Sequence, residues 1–391
     1  MSPSKQTKPS DAVSNVHDVP TSGECHHFVP HESSDKLLII LSATGTKTGQ
    51  FNMWKLAGEI PHNKLYLRLI KNDWYQSGVP SLGEDLTTTI DAIKSLADAH
   101  GIKEIYTCGS SMGGHGAILY GSLLDASVLA FSPETQMKLP FSRSSKMMPA
   151  SAKVVVQDLR DMISQSTKPI HLYTGEMDPV DLYCADMVKD LPNIHVTTMF
   201  LEEHTVMRTL HVSGRLVPML RSFLEGEPFQ ELTEKGGALQ ATGFAKAYFD
   251  GWLDRLEGRN DSAIKNFEKA IELYPTTSHC RYLLAMILLK LRKPEEALPH
   301  SAMAAVLAPD NPDHQFLFAN CLRHSGDLDY ALFLYRKILD RWPEMDRTLF
   351  DIGQIYLLKR EPEKARAFYL EAARINPTKE AYRKKAGLIA L

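Results

Sequence analysis

The stretch Lys36-Leu-Leu-Ile-Ile-Leu41 is apolar at every position after its first and ends in Ser-Ala-Thr-Gly. An unbroken apolar run of this length predicts a strand buried on both faces. Similar runs predict strands at Lys64–Ile70, Ile105–Cys108, Ser127–Phe131, Pro169–Gly175 and Ile194–Leu201. Between them, Glu84–Ala99 carries Leu86, Ile90, Ile93, Leu96 and Ala97 at helical spacing, and helices are also expected over Gly114–Leu124, 153–163, Val180–Leu191 and 212–224. Alternating strands and helices predict an α/β unit with a mostly parallel sheet covered by helices on both faces. Residues 132–152 have no clear period and read as a loop near a site. Residues 1–34 are polar and aperiodic before Lys36, and are expected to be a disordered tail. The adjacent His26 and His27 there have no third partner that would suggest a metal site.

From about residue 244 the pattern changes to helix formers with an internal period. Pro275, Pro309, Pro343 and Pro377 are 34 residues apart (309 − 275, 343 − 309, 377 − 343), and Ala263, Ala297, Ala331 and Ala365 keep the same interval. Gly251, Ala285, Ala319 and Gly353 mark a small position; Phe267, Tyr335 and Tyr369 fill a large one, from which Ser301 departs. Small and large positions recurring at one period predict stacked helix pairs forming a solenoid with a concave groove. The period and its small positions resemble the tetratricopeptide repeat, with four units and a cap helix over 244–391. That resemblance implies a protein or peptide partner in the groove. Residues 226–243 are the expected linker, and 35–225 the α/β unit.

Composition narrows the classes of function. A chain of 391 residues exceeds one ordinary core, in keeping with two domains. Net charge is −3 with no dense basic block, which argues against nucleic-acid capture. Cys25, Cys108, Cys184, Cys280 and Cys321 lack C-x-x-C spacing, so neither a zinc ribbon nor a disulfide framework is expected. No apolar run reaches membrane-spanning length and no signal-peptide core is present, so no membrane insertion and a cytoplasmic location are the expectation.

Candidate chemistry centres on Gly109-Ser-Ser-Met-Gly113, placed between the Ile105–Cys108 strand and the following helix. A strand-to-helix turn this tight leaves no room for side chains at Gly109 or Gly113, and it presents Ser111 as an exposed nucleophile. The Met112 backbone N–H, at the helix N-terminus, is placed to receive negative charge on a substrate oxygen. A nucleophilic serine needs an imidazole to take its proton and a carboxylate to hold that imidazole. His204, in the loop after the 194–201 strand, is preferred as base over His211 in the segment leading to the last helix. Asp178 follows the strand-ending Gly175 and is the favoured acid; Asp181 competes with it, and Glu176 is a weaker third choice. His115, on the elbow helix, is expected to pack or face solvent. Trp74 and Tyr75 are the candidates for substrate binding, as an aromatic wall for a sugar ring or as a buried pair.

Through Gly109-Ser-Ser-Met-Gly113, Gly175-Glu-Met-Asp178 and His204, residues 35–225 resemble the α/β-hydrolase superfamily. More narrowly, Asp73-Trp-Tyr, Gly109–Gly114, Leu129-Ala-Phe-Ser-Pro133 and His204 with Gly214-Arg-Leu resemble small bacterial hydrolase-like domains associated with polysaccharide biosynthesis. The resemblance implies a serine hydrolase acting on an ester or similar acyl bond, with a small acyl or glycan-linked substrate. It maps the second oxyanion donor to Ala43-Thr44, with Thr44 the candidate, although the usual His-Gly signature is missing. No cofactor or metal is implied. The competing reading is a non-catalytic adaptor in which the hydrolase-like fold is a platform and the repeats do the binding.

Overall fold

The computed structural model describes residues 19–387; the rest of the expected N-terminal tail, residues 1–18, lies outside them. A seven-stranded sheet is formed by β1 (His26–Val29), β2 (Lys36–Leu41), β3 (Asn63–Leu67), β4 (Glu104–Ser110), β5 (Ser127–Phe131), β6 (Ile170–Gly175) and β7 (Ile194–Met199). Their spatial order is β1-β3-β2-β4-β5-β6-β7, parallel except for β1, which runs antiparallel to β3 at the edge. Strand β1 corrects the expectation of a tail through residue 34. Cys25 and Phe28 bury themselves in the core, and His26 is held by Ser81 Oγ at 2.8 Å and Pro20 O at 2.7 Å. Four residues are too short for a hydrophobic period to be read.

Strand β2 shows why an unbroken apolar run needs cover on both sides. Successive side chains point to opposite faces. Leu37, Ile39 and Leu41 enter one core with Ile90, Ile93, Ala117 and Ile163; Leu38 and Ile40 enter the other with Leu56, Leu210, Leu220 and Phe223. The covering helices are α1 (Trp54–Ala57), α2 (Leu86–Ala99), α3 (Met112–Leu123), α4 (Arg143–Met147), α5 (Arg160–Gln165), α6 (Pro179–Asp186), α7 (Val206–Val212) and α8 (Leu216–Glu225). Three of the expected helices differ in extent, and the one expected over Val180–Leu191 ends at Asp186. The helix expected over 153–163 begins only at Arg160, and that expected at 212–224 is divided by Gly214 at φ +72°, a conformation glycine takes without strain. The 132–152 segment carries α4, capped by Ser142 Oγ accepting from the Ser145 N–H.

The expected linker is tied down along its length. Phe200 N–H donates to Glu234 O at 2.7 Å, Gly236 N–H to Thr198 O at 2.8 Å, and a short 3₁₀ turn spans Ala238–Gln240. Beyond it come helix pairs α9 (Phe244–Leu256) with α10 (Asn260–Leu273), α11 (Ser278–Lys290) with α12 (Pro294–Leu307), α13 (Pro312–His324) with α14 (Leu328–Arg341), and α15 (Asp346–Leu358) with α16 (Pro362–Ile375). The last helix is α17 (Glu380–Lys385). Within a pair, the small residue of one helix seats the large ring of the next. A Cβ on Gly251 would meet Phe267 at 2.9 Å, and one on Gly353 would meet Tyr369 at 2.6 Å. The 34-residue period is therefore a packing period.

Candidate active site

In an open parallel sheet, the crevice for a ligand lies at the carboxyl ends of the strands, where the order of connection reverses. Here β3 lies on one side of β2 and β4 on the other, so that reversal falls between β2 and β4. Ser111 follows the last residue of β4. Its backbone sits at φ 57°, ψ −121°, a conformation that a side-chain-bearing residue adopts only at a cost of about 1–3 kcal/mol. Three groups hold it there. Ser111 N–H donates to Phe131 O at 2.9 Å, the His115 N–H donates to Ser111 O at 3.0 Å, and Gly109 and Gly113 admit backbone where a Cβ would come closer than 3.0 Å to Gly113 O and Leu41 O respectively.

The Ser111 hydroxyl meets His204 Nε2 at 2.8 Å, and His204 Nδ1 meets Asp181 Oδ2 at 2.6 Å. A carboxylate can only accept, so Nδ1 carries the proton and Nε2 presents its lone pair to the serine O–H. Asp181 is fully buried and His204 largely so. Asp178, preferred from the sequence, does not touch His204. It is the N-cap of α6: its Oδ1 accepts from Val180 N–H and Asp181 N–H, both at 3.0 Å. The Asp-Pro sequence explains this, because Pro179 at the first helical position fixes the residue before it as the cap. Asp181, one turn in, is free to turn its carboxylate to the imidazole. Glu176 faces away, binding Thr198 Oγ1 at 2.7 Å and the Ala238 N–H at 2.7 Å. His211 lies in the last turn of α7, and it is His204 that bonds the Ser111 hydroxyl.

Arg143 is the residue the sequence did not single out. From the first turn of α4, it donates to Asp178 Oδ2 at 2.6 Å and to Asp181 Oδ1 at 3.3 Å. Nothing in the aperiodic 132–152 stretch marks it except the Ser142 cap just before it. Burial raises the Asp181 carboxyl to about 6, with help from the Asp178 charge, against the lowering effects of His204 and Arg143. Burial would raise Asp178 as well, but the adjacent Arg143 charge and hydrogen bond bring it below the ordinary carboxylate range. Asp178, Asp181 and His204 place possible metal-ligand atoms within 4.8 Å of one another. An ion there would have to displace Arg143 and break the His204–Asp181 bond.

A pH prediction follows from this arrangement. The imidazole needs an ionised partner, so Ser111 reactivity should decline as pH falls through about 6 and the Asp181 carboxylate is protonated. Removing the guanidinium in Arg143→Gln disfavours the Asp181 carboxylate and raises its pKa, so the acid limb should move to higher pH. The pH dependence of Ser111 labelling by a fluorophosphonate, in both proteins, measures this.

The other candidates are placed as follows. Met112 is the first residue of α3, so its N–H has no acceptor within the helix. Thr44 lies on the loop leaving β2, which packs against the elbow: Ser42 C would be 3.1 Å from a Cβ on Gly113. Thr44 is half-buried two residues further on. Trp74 and Tyr75 do not line a cleft. Both are 0 % exposed, and the Tyr75 hydroxyl faces the carbonyls of Ser42 (2.9 Å) and Leu67 (3.2 Å) beneath α3. Tyr75, packed against Leu41 of β2 and Tyr120 of α3, supports the elbow from beneath, and Trp74 is buried in the same core. His115 is also buried, bonded to Glu134 O at 2.7 Å and Gln76 Nε2 at 3.1 Å, and burial pushes its pKa down to about 4. Trp54 is exposed, and with Phe51, Met53, Met207 and His211 it lines a separate cleft of about 590 Å³ between α1 and α7.

Comparison with known proteins bears on the helical region. The model of a tetratricopeptide repeat family matches residues 257–313 and 316–380. A TPR repeat-containing protein of Dictyostelium discoideum is 27 % identical over 135 residues, covering 32 % of this chain and 51 % of the relative. The chain thus spans about half the length of that relative. Among solved structures, YrrB, described as a TPR protein with an unusual peptide-binding site, is 23 % identical and covers 47 % of this chain and 89 % of its own, with a TM-score of 0.36. The MamA protein is 16 % identical, covering 37 % and 79 % respectively, with a TM-score of 0.35. The family-model match assigns tetratricopeptide repeats to the C-terminal region. No helix among the described residues is long and apolar enough to cross a membrane.

Proposed function

We propose that this chain engages a protein or peptide partner through its tetratricopeptide repeats and hydrolyses an acyl ester at Ser111. The observation carrying the second half is the continuous hydrogen-bonded series from Ser111 Oγ through His204 to buried Asp181. In this reading Ser111 attacks the acyl carbon while His204 Nε2 takes its proton. The imidazolium so formed is stabilised by Asp181, and the Met112 N–H receives the oxyanion. His204 then returns the proton to the leaving alcohol, and water releases the acyl group by the same route in reverse. The strand order, the elbow backbone and the chain order Ser, Asp, His support an α/β-hydrolase-like assignment for the sheet unit. Thr44 is the second oxyanion donor in this reading.

A second reading is a non-catalytic adaptor, and the comparisons favour it: the family-model match falls on the repeats, residues 257–380. In that reading, the sheet unit is a platform and partner binding is the whole function. Fluorophosphonate labelling of wild type, Ser111→Ala and His204→Ala separates the two. The hydrolase predicts labelling in the wild type, none in Ser111→Ala, and a rate reduced by at least about 10³-fold in His204→Ala. A folded wild type that does not label, yet retains a partner on the repeats, is the adaptor.

A further inference from the structure

The two halves of the chain meet at the segment that carries the acid. Gly175 ends β6, and the next six residues, Glu176 to Asp181, lead into α6. The sheet side of this segment is tied to β7 and to the loop carrying His204: Glu176 N–H donates to Met199 O at 3.1 Å and Met177 N–H to Glu202 O at 2.8 Å. Its other side is tied to the first repeat. The Tyr248 hydroxyl, on α9, donates to Met177 O at 2.8 Å, and the Tyr274 hydroxyl, just past α10, donates to Glu176 Oε2 at 3.1 Å. Apolar packing runs the same way. Leu182 shares a core with Phe244, Ala245 and Tyr248, and the Tyr183 and Phe249 rings stack at 4.5 Å and 10°. On the far side of the site, Phe141, two residues before Arg143, meets the Trp252 ring edge-on at 6.5 Å.

Taking the serine-hydrolase reading as its premise, we infer that α9 is a wall of the candidate active site, with Tyr248 as a positioning residue that holds Met177 O and thereby the Asp181 carboxylate facing His204. The bond is buried, so water cannot replace it when the hydroxyl is removed. An orphaned carbonyl at that depth is costly, and the segment between Met177 and Asp181 shifts to relieve it. A shift well under 1 Å at Asp181 is enough to weaken its contact with the imidazole, because such contacts depend steeply on geometry. The repeats therefore frame the site as well as recruiting a partner. Anything that moves α9, including a ligand in the groove, is transmitted to Asp181.

The test uses the full chain carrying Tyr248→Phe, Asp181→Asn, both together, and Tyr335→Phe. Tyr335 is a comparably buried tyrosine further along the repeats, bonded to Asp351 at 3.2 Å and remote from the sheet unit. Two readouts are taken: the rate of Ser111 labelling and the downfield Nδ1–H resonance of His204 in ¹⁵N-histidine-labelled protein. Tyr248→Phe should slow labelling about 10-fold and shift the resonance, while Tyr335→Phe stays within about 2-fold of wild type. In the Asp181→Asn background, Tyr248→Phe should cost nothing more, because its effect runs through the missing carboxylate. A wild-type rate and an unmoved resonance in Tyr248→Phe would overturn the inference. So would equal slowing in both backgrounds, which marks a general loss of structure. If wild-type Ser111 does not label, the hydrolase reading falls, and the resonance alone then decides whether Tyr248 positions Asp181.

Discussion

Asp181→Asn should slow fluorophosphonate labelling of Ser111 by about 10⁴-fold, whereas Asp178→Asn should stay within about 10-fold of wild type. The asymmetry comes from what each carboxylate touches. An amide at 181 lacks the charge that stabilises the imidazolium, and its NH₂ group favours the wrong imidazole tautomer, with the proton on Nε2 facing the serine. An amide at 178 still offers an oxygen to the first turn of α6, so the cap survives. Its lost charge has a second effect with a definite sign. Asp178 raises the Asp181 pKa, and removing that charge also leaves Arg143 to Asp181 alone. Asp178→Asn should therefore move the acid limb of labelling to lower pH, opposite to Arg143→Gln. Second-order labelling rates across pH for the four proteins measure both effects. A 10⁴-fold loss in Asp178→Asn with a mild one in Asp181→Asn would reverse the assignment.

The features legible in the sequence are those set by local chemistry. Apolar runs mark β2 and β5 because a doubly covered strand has no solvent face. The 34-residue period is visible because each helix pair repeats the same small-against-large contact, Gly251 on Phe267 and Gly353 on Tyr369. Ser111 stands out since its two flanking glycines answer a steric demand confined to five residues. Features that depend on long-range packing were not legible. Strand β1 holds its place through Ser81 and Pro20, and Arg143 gains meaning only when α4 comes to rest beside α6. Trp74 and Tyr75 read as an aromatic wall or, more readily, as a buried pair, and the fold buries both.

The choice between Asp178 and Asp181 falls between these cases. Both sit on the first turn of one helix, so proximity to Gly175 could not separate them. The Asp-Pro pair did hold the answer: Pro179 at the first helical position commits Asp178 to its own backbone, leaving the next acidic residue for the histidine. His204 was readable by its place after β7, but the bond between Met177 O and Tyr248 was not, because the partners are 71 residues apart.

Gly113→Ala should lower the stability of the sheet unit by about 3 kcal/mol and remove Ser111 labelling. A Cβ there would come closer than 3.0 Å to Leu41 O and 3.1 Å from Ser42 C, both backbone atoms with no rotamer to step aside. Relief requires either α3 to lift or the chain leaving β2 to retreat. That chain is fixed, with Ser42 N–H on Leu67 O at 2.9 Å and Ser42 O held by the Tyr75 hydroxyl. Either movement also separates the Met112 N–H from the Thr44 loop, so the oxyanion position is lost together with stability. For a unit of this size, the loss corresponds to a fall of about 6–12 °C in the thermal midpoint. Gly49→Ala, on the same loop, provides the comparison: its φ of +75° makes alanine strained, but a Cβ there meets nothing within 4 Å. That variant should lose only about 1–2 kcal/mol and keep a wild-type labelling rate. Thermal unfolding and labelling of both variants distinguish backbone collision at the elbow from ordinary glycine strain. A Gly113→Ala protein with wild-type stability and labelling would mean that β2 and α3 can separate without cost to the site.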